Sequence, residues 1–449
     1  MGGVAQTAHA ALPTGPTTTG LTGARPSATT VDFPISDQVQ ASVDVVTGNL
    51  MVNTVGLSLP GVNSTIPIGA SYNSLGWQTG TTTTVAANNW SLGLASAGTL
   101  SLVGANVVYT GADGVTWTFV PVSGSATAFT SPAGFKQDLV KTATGGYTLT
   151  DRTSRQVVSF DADGKATSVA DRNANTTQIT YGSNGQPATV VSTAGPTAAR
   201  TATLSYNPST LLFQVSQTGD SYNTRTVKYQ KDSSSNLTSI VDAEGNTTSF
   251  AYAGKDLTQV TSTTGAVTNF TYDGSTHKVT RIDQQNTTAG SPGTSTTRLA
   301  YTSTSQTLVA GPNTDTAAAV TAVPRTTYTI NPTQKTVTKA VDAAGRERSA
   351  TYTGNADVES ATTGQAGAAT SGTTTGTYGA NSGNSLTKAT SPGGASSSTT
   401  YGSTTSTAYL PASTTDDAGN QSLKTFNGAG NQLTNSDASG AQAALTYNT

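Results

Sequence analysis

One short unit recurs along this chain and limits what it can fold into. In residues 241–252, VDAEGNTTSFAY, an Asp is followed three residues later by a Gly and ten residues later by an aromatic. Asp342, Gly345 and Tyr352 keep that spacing, as do Asp416, Gly419 and Phe426, and Asp437, Gly440 and Tyr447. Asp171, Ala174 and Tyr181 match with Ala in the Gly place. Ser262, Gly265 and Tyr272 match with Ser in the Asp place, as do Ser391, Gly394 and Tyr401. Residues 151–160 are a looser copy, one residue short. Self-similarity at this scale announces an array rather than a set of ordinary domains.

The unit reads as a turn and a strand. The Asp carboxylate bonds the backbone ahead of it, and Gly takes a positive φ at no steric cost. After the turn, Phe250 and Tyr252 share a face because strand side chains alternate. Ile179 and Tyr181, Phe270 and Tyr272, Ala350 and Tyr352, and Leu445 and Tyr447 repeat the pair. A second strand precedes the Asp, as in residues 237–241. Two strands about a tight turn make a hairpin, and hairpins in series make a long antiparallel sheet. The expected fold is all-β, a repeat array of antiparallel hairpins forming a long curled sheet, as a shell or a fibre. No stretch shows the 3.6-residue stripe of an amphipathic helix.

The D-x-x-G-x(6)-Y pattern resembles the YD repeat of the Rhs family, which includes bacterial Rhs proteins, the B and C components of Tc toxins, and teneurin shells. That resemblance covers about residues 151–449. A second block is similar to the N-terminal entry segment of Rhs proteins. It runs through Thr47-Gly48-Asn49, Leu59-Pro60-Gly61, Ser71-Tyr72-Asn73-Ser74 and Gly76-Trp77. Ala70 stands where the family usually has Arg, and either Trp77 or Trp90 ends the block. The family's shells end in a self-cleaving DPxGL motif ahead of a toxin. No DPxGL stands in this sequence. The resemblance therefore implies an N-terminal shell part with neither payload nor cutter.

Three regions follow from these patterns. Residues 1–35, rich in Thr, Ala, Gly and Pro without a period, are expected as a flexible leader. Residues 36–135 form the Rhs-type β entry segment. Residues 136–449 form the repeat array, open at its C-terminal end. Within the array, residues 284–297 and 312–324 are expected as inserted loops, because Gly and Pro cluster there. Residues 364–383 hold almost no apolar side chain besides Tyr378.

Only 10% of residues are charged and the net charge is −2, which argues against a nucleic-acid partner, since that needs a basic patch. No run of 18 apolar residues exists, so no membrane-spanning helix is expected. There is no Cys, hence no disulfide or thiolate metal site. The histidines are His9, in the leader, and His277, in a turn-like stretch where it is expected exposed. No HExxH zinc pattern and no GxxxxGK[ST] phosphate loop occurs. Asp161 and Asp163 resemble half a calcium loop, but no bidentate Glu follows, so a β-turn is the better reading.

No catalytic, cofactor-binding or metal-binding residue is nominated, and the chain is not expected to be an enzyme. The expected role is structural, as part of a secreted or cell-surface β shell or filament. Its partners would be further repeats of a longer parent chain, or other copies docking by strand addition. The alternative is an adhesin that meets glycans or a cell surface through Trp77, Trp90 and Trp117, although such rings more often serve as core. A hydrolase built on a carboxylate pair is the third reading.

Overall fold

The computed structural model describes residues 12–13, 20–60, 65–76, 86–95, 97–192, 200–217, 224–285, 293–367, 371–379, 385–404 and 406–447. Among them the fold is all-β, with 36 strands and a single 3-10 turn at Val320–Ala322. Every strand pairing within the sheets is antiparallel.

Strands β1 (Thr30–Ser36), β2 (Val39–Asp44), β3 (Leu50–Pro60), β4 (Thr65–Asn73) and β5 (Trp90–Leu94) form one meander. β6 (Thr99–Val103), β7 (Asn106–Thr110), β8 (Thr116–Pro121) and β9 (Phe129–Thr130) form a second. From β10 (Gln137–Lys141) to β36 (Gln442–Ala444) the strands make one 27-stranded sheet, each beside its sequence neighbours.

The turns explain why the chain folds this way locally. In residues 242–246 the Asp242 carboxylate accepts the N–H groups of Glu244 (3.0 Å) and Asn246 (2.8 Å). The Gly245 N–H donates to the Asp242 carbonyl at 3.2 Å. Gly245 sits at φ +90°, the left-handed residue that closes a three-residue hairpin loop. The Gly of every copy of the unit has positive φ, and Ala174 takes the same conformation at φ 64° despite its Cβ. The opposite edge of the sheet uses the same device at Asp232 with Ser235 (φ 65°) and at Asn427 with Gly430 (φ 86°).

The strands carry a feature that the repeat pattern did not reveal. Beside the second set of turns, one strand of most pairs is bulged by a single residue, whereas the pairs joined at residues 142–146 and 207–212 keep an unbroken register. Thr167, Thr238, Thr258, Thr280, Thr338 and Thr387 are such residues, skipped in the pairing register. A bulge breaks the ladder and leaves polar backbone groups to satisfy. Each of these threonines donates its hydroxyl to a cross-strand carbonyl, as Thr238 does to Gln230 at 3.2 Å. The repeat tyrosines satisfy the carbonyl just before the bulge. Tyr181, Tyr252, Tyr272, Tyr352, Tyr401 and Tyr447 each donate to the carbonyl fifteen residues earlier, at 2.7–3.0 Å. Where the chain is longer, Tyr301 reaches Val279 and Tyr378 reaches Val358 in the same way. The aromatics thus form one ladder, joined by hydroxyl-to-carbonyl bonds from each hairpin to the one before.

Twist curls this strip. Its concave face holds one continuous core with the two small sheets, from Phe33, Val43 and Tyr72 to Ile240, Phe270 and Ile282. The strip then meets itself. The Arg172 guanidinium donates to the Gly430 carbonyl at 2.9 Å, and the Asn431 amide donates to the Asn173 side-chain oxygen, each pair 258 residues apart. The Arg152 guanidinium lies over the Tyr409 ring, and Lys136 pairs with Asp357 at 3.0 Å. The sheet is therefore a spiral, with turns of one winding seated on the opposite-edge turns of the next.

Two expectations about chain segments need correction. Residues 20–35 are not a free leader. Gly23 donates its N–H to the Asn73 side-chain oxygen at 2.7 Å, Arg25 pairs with Asp44, and β1 begins at Thr30. A Cβ on Gly23 would fall 2.3 Å from the Val115 backbone nitrogen, so a glycine lets this segment lie against the two entry sheets, β1–β5 and β6–β9. The insert expected at 284–297 is shorter at both ends: Gln284 pairs with Ser295 and Thr294 opens a strand, while residues 286–292 lie outside the described residues. Residues 371–379 form β30 despite their lack of apolar side chains, because ladder bonds and the Tyr378 hydroxyl hold them. The insert at 312–324 is a loop as expected, held by Arg298 on the carbonyls of Asp315 and Thr316.

Candidate functional site

The concave face is where the structure concentrates its specific contacts. At the middle of the array, β5 and β4 dock on β20 (Thr247–Ala253) and β21 (Asp256–Thr261). Trp90 packs edge-on against Phe250 at 5.2 Å and donates its indole N–H to the Tyr252 hydroxyl at 2.9 Å. Tyr72 accepts the Leu257 N–H at 3.0 Å and donates to the Lys255 carbonyl at 2.9 Å. Burial pushes the Tyr72, Tyr252 and Tyr272 phenols far above the usual range. These hydroxyls are therefore fixed neutral donors.

Beside them, Asn88 donates to the Ser234 carbonyl and the Asn236 side-chain oxygen. The Lys231 ammonium reaches the Ala86 carbonyl at 2.7 Å and lies over the Tyr206 ring. Burial lowers the Lys231 pKa to about 8. Gly56 is required where β3 crosses the wall, since a Cβ there would fall 2.2 Å from the Tyr229 hydroxyl and 2.3 Å from the Ile68 carbonyl.

The face changes along the strip. Bulky side chains, such as Ile179, Leu204, Phe213, Ile240, Phe250 and Val260, are buried where the entry sheets cover it. Beyond Val337 the buried residues among those described are Leu410, Ser413, Gly430 and Asn431. Asn431 belongs to the seam, and Leu410 packs toward Gly430 of the same seam. At the positions of Ile240 and Phe250 in the unit, the later copies carry Ala340 and Ala350, Ala389 and Thr399, and Thr414 and Lys424. The wall is thus apolar and covered in one part, and small, polar and open in the other.

The turn aspartates are committed to backbone. Asp171, Asp242, Asp342, Asp416 and Asp437 each accept N–H groups of their own turn, and Asp161 does the same at its turn. Among the described residues no group of three or more His, Asp or Glu gathers to hold a metal ion. His277 is not the lone exposed ring expected. Its Nδ1 lies 2.9 Å from the Asp256 carboxylate, and the ring is half-buried because two neighbouring turns bring the pair together.

Trp90 is buried in the core, and Trp117 is half-buried with one face stacked on Phe135 at 4.8 Å. Trp77 lies outside the described residues. Sequence reading missed the bulge threonines, Lys231, Arg172 and the His277–Asp256 pair. Only the threonines left a signal, since Thr167, Thr238, Thr258, Thr338 and Thr387 each stand four residues before the Asp or Ser that opens the unit.

No family model matches the chain, and no curated protein matches it. Among solved structures, the crystal structure of TcdB2–TccC3–Cdc42 is similar at 10% identity and a TM-score of 0.38, over 91% of this chain and 22% of that one. A Tc holotoxin pore of Photorhabdus luminescens is similar at 9% identity and a TM-score of 0.33, over 87% and 22%. TcdB2–TccC3 itself is similar at 11% identity and a TM-score of 0.33, over 89% and 26%. The chain thus spans about a quarter or less of the length of the chains it matches. No helix among the described residues is long and apolar enough to cross a membrane.

Proposed function

We propose that this chain is a structural element, a wall segment of an extracellular or cell-surface β shell, and that it carries out no chemistry of its own. The observation that carries this reading is the seam. Arg172 on Gly430, and Asn431 on Asn173, hold one winding of the strip on the next. A strip that stacks edge on edge builds a continuous curved wall, whereas a fibre would need the strip to run on without meeting itself. The commitment of the turn carboxylates to backbone N–H groups supports a scaffold over a hydrolase. Its partners are other repeat strands, from a longer chain or from another copy, added at the edge that β36 presents beyond its pairing with β35 (Gln432–Ser436).

Electron microscopy of the purified chain tests the reading. Curled particles with a hollow and overlapping windings are expected. Straight fibrils, with residues 172 and 430 far apart in the density, would overturn it.

A further inference from the structure

The open part of the concave face holds a cleft of about 730 Å³ across β26 (Thr326–Asn331), β27 (Thr336–Val341), β28 (Arg346–Tyr352) and β29 (Val358–Gln365). The repeat shows how it arises. In the covered part Ile240 pairs with Thr248, and Phe250 pairs with Val260. At the same register of the later unit Ala340 pairs with Arg348, and Ala350 pairs with Ala361. Three bulky side chains have become alanine, and the buried Thr248 has become an arginine. Tyr328 and Tyr352 stand in the lining. The other cations of the site are paired: Arg346 with Asp342 at 2.6 Å, and Lys339 with Glu347 at 2.9 Å. Arg348 has no hydrogen bond and no ion pair among the described residues.

We propose that this cleft binds a small amphipathic anion. Its apolar body sits on Ala340, Ala350 and Ala361 between the two tyrosines, and its single carboxylate meets the Arg348 guanidinium. The volume falls in the range of ordinary ligand pockets, roughly 300–1,000 Å³. The lining mixes apolar and hydroxyl side chains, and its two carboxylates, Asp342 and Glu347, are each held by a cation, which leaves Arg348 as the charge that can direct a ligand. Arg presents a planar fork of donors that matches a carboxylate. Burying the apolar body supplies the affinity, and the charge fixes its direction. This inference stands apart from the wall reading, because a wall needs no cleft at this register.

The repeat itself provides the controls. Ala350→Phe and Arg348→Thr restore the residues found at 250 and 248, so the fold tolerates them, and circular dichroism verifies that. Calorimetric titration of the whole chain with octanoate, below its micelle concentration, should show one saturable site. Arg348→Thr should weaken octanoate about tenfold, the loss expected for one charge-assisted hydrogen bond, and leave neutral octanol unchanged. Ala350→Phe should abolish both. The proposal fails if the wild-type chain shows no saturable octanoate binding. It fails equally if Ala350→Phe binds as well as wild type, or if Arg348→Thr weakens octanol as much as octanoate.

Discussion

The Tyr252 hydroxyl donates a 2.7 Å hydrogen bond to the Leu237 carbonyl and accepts one of 2.9 Å from the Trp90 indole. One atom thus ties a bulge, its neighbouring hairpin and the entry sheet together. Tyr252→Phe leaves a buried carbonyl and a buried N–H without this partner, which costs about 1–3 kcal/mol. Tyr447 makes the same bond to Gln432, but its side chain is 45% exposed, so water replaces the phenol. Urea denaturation should show a lowered midpoint for Tyr252→Phe and almost none for Tyr447→Phe. Phe426 is the complementary case. It holds the ladder position without a hydroxyl, opposite the bulge that follows Pro411. Phe426→Tyr is expected to raise stability by up to about 1 kcal/mol.

The turns give a test of backbone strain apart from packing. Gly245 has φ +90° with nothing within 4 Å of a built Cβ, so conformation alone opposes a side chain there. A β-branched residue in that region is costly, about 1–3 kcal/mol. Gly245→Val should therefore lower the melting temperature clearly. Thr248→Val should change it little, since position 248 is a buried strand site that suits branching. Ala174→Gly should move the other way, by about 1 kcal/mol, because Ala174 already sits at φ 64°. Equal melting of Gly245→Val and Thr248→Val would refute the assignment of strain to the turn.

Alkaline titration reads the concave face. Burial raises the Tyr181 pKa to about 12, aided by the nearby Asp161, and burial also holds Tyr252 and Tyr272 well above the usual phenol range. Unfolded tyrosines ionise near pH 10. A folded pKa above the unfolded one means stability that is full below about pH 10 and lost as pH rises beyond it. Tyrosinate absorbance from these residues should therefore appear together with unfolding. Lys231 has the opposite sign. Its folded pKa of about 8 lies below the unfolded value of roughly 10.4, so folding gains as pH rises from about 8 to 10. Lys231→Met should remove that gain, measured as melting temperature against pH.

The seam divides the strip by stability. The described residues of 358–444 lack the covered core of the earlier strands, and much of what they bury lies at the winding contact. Segments with few buried apolar contacts open at low free energy. Hydrogen exchange should be faster across β29–β36 than across β20–β22 (Val267–Tyr272). The chain has no cysteine of its own, so Asn173→Cys with Asn431→Cys can be oxidised without side reactions. The resulting cross-link should slow exchange in β29–β36 and leave β20–β22 unchanged. Uniform slowing, or none, would show that the windings do not open at the seam.

The sequence by itself determined the strands, the turns and the direction of the aromatics. These are local: an Asp that caps its own turn, a Gly at positive φ, and side chains that alternate along a strand act within about ten residues. Even Ala174 was legible as a turn residue from spacing alone. What only the tertiary structure decided is where the strip bends back and what fills it. The meeting of Arg172 with Gly430 rests on small twists summed over many hairpins, and no short pattern records that sum. Whether a concave position is core or open wall depends on whether the entry sheets cover it. Ile240 and Ala340 occupy the same place in the unit, yet one lies beneath Tyr72 and Trp90's sheet and the other lines a cleft. The same holds for residues 20–35, which read as a linker because their order comes from Asn73, Asp44 and Gly114 rather than from a pattern of their own.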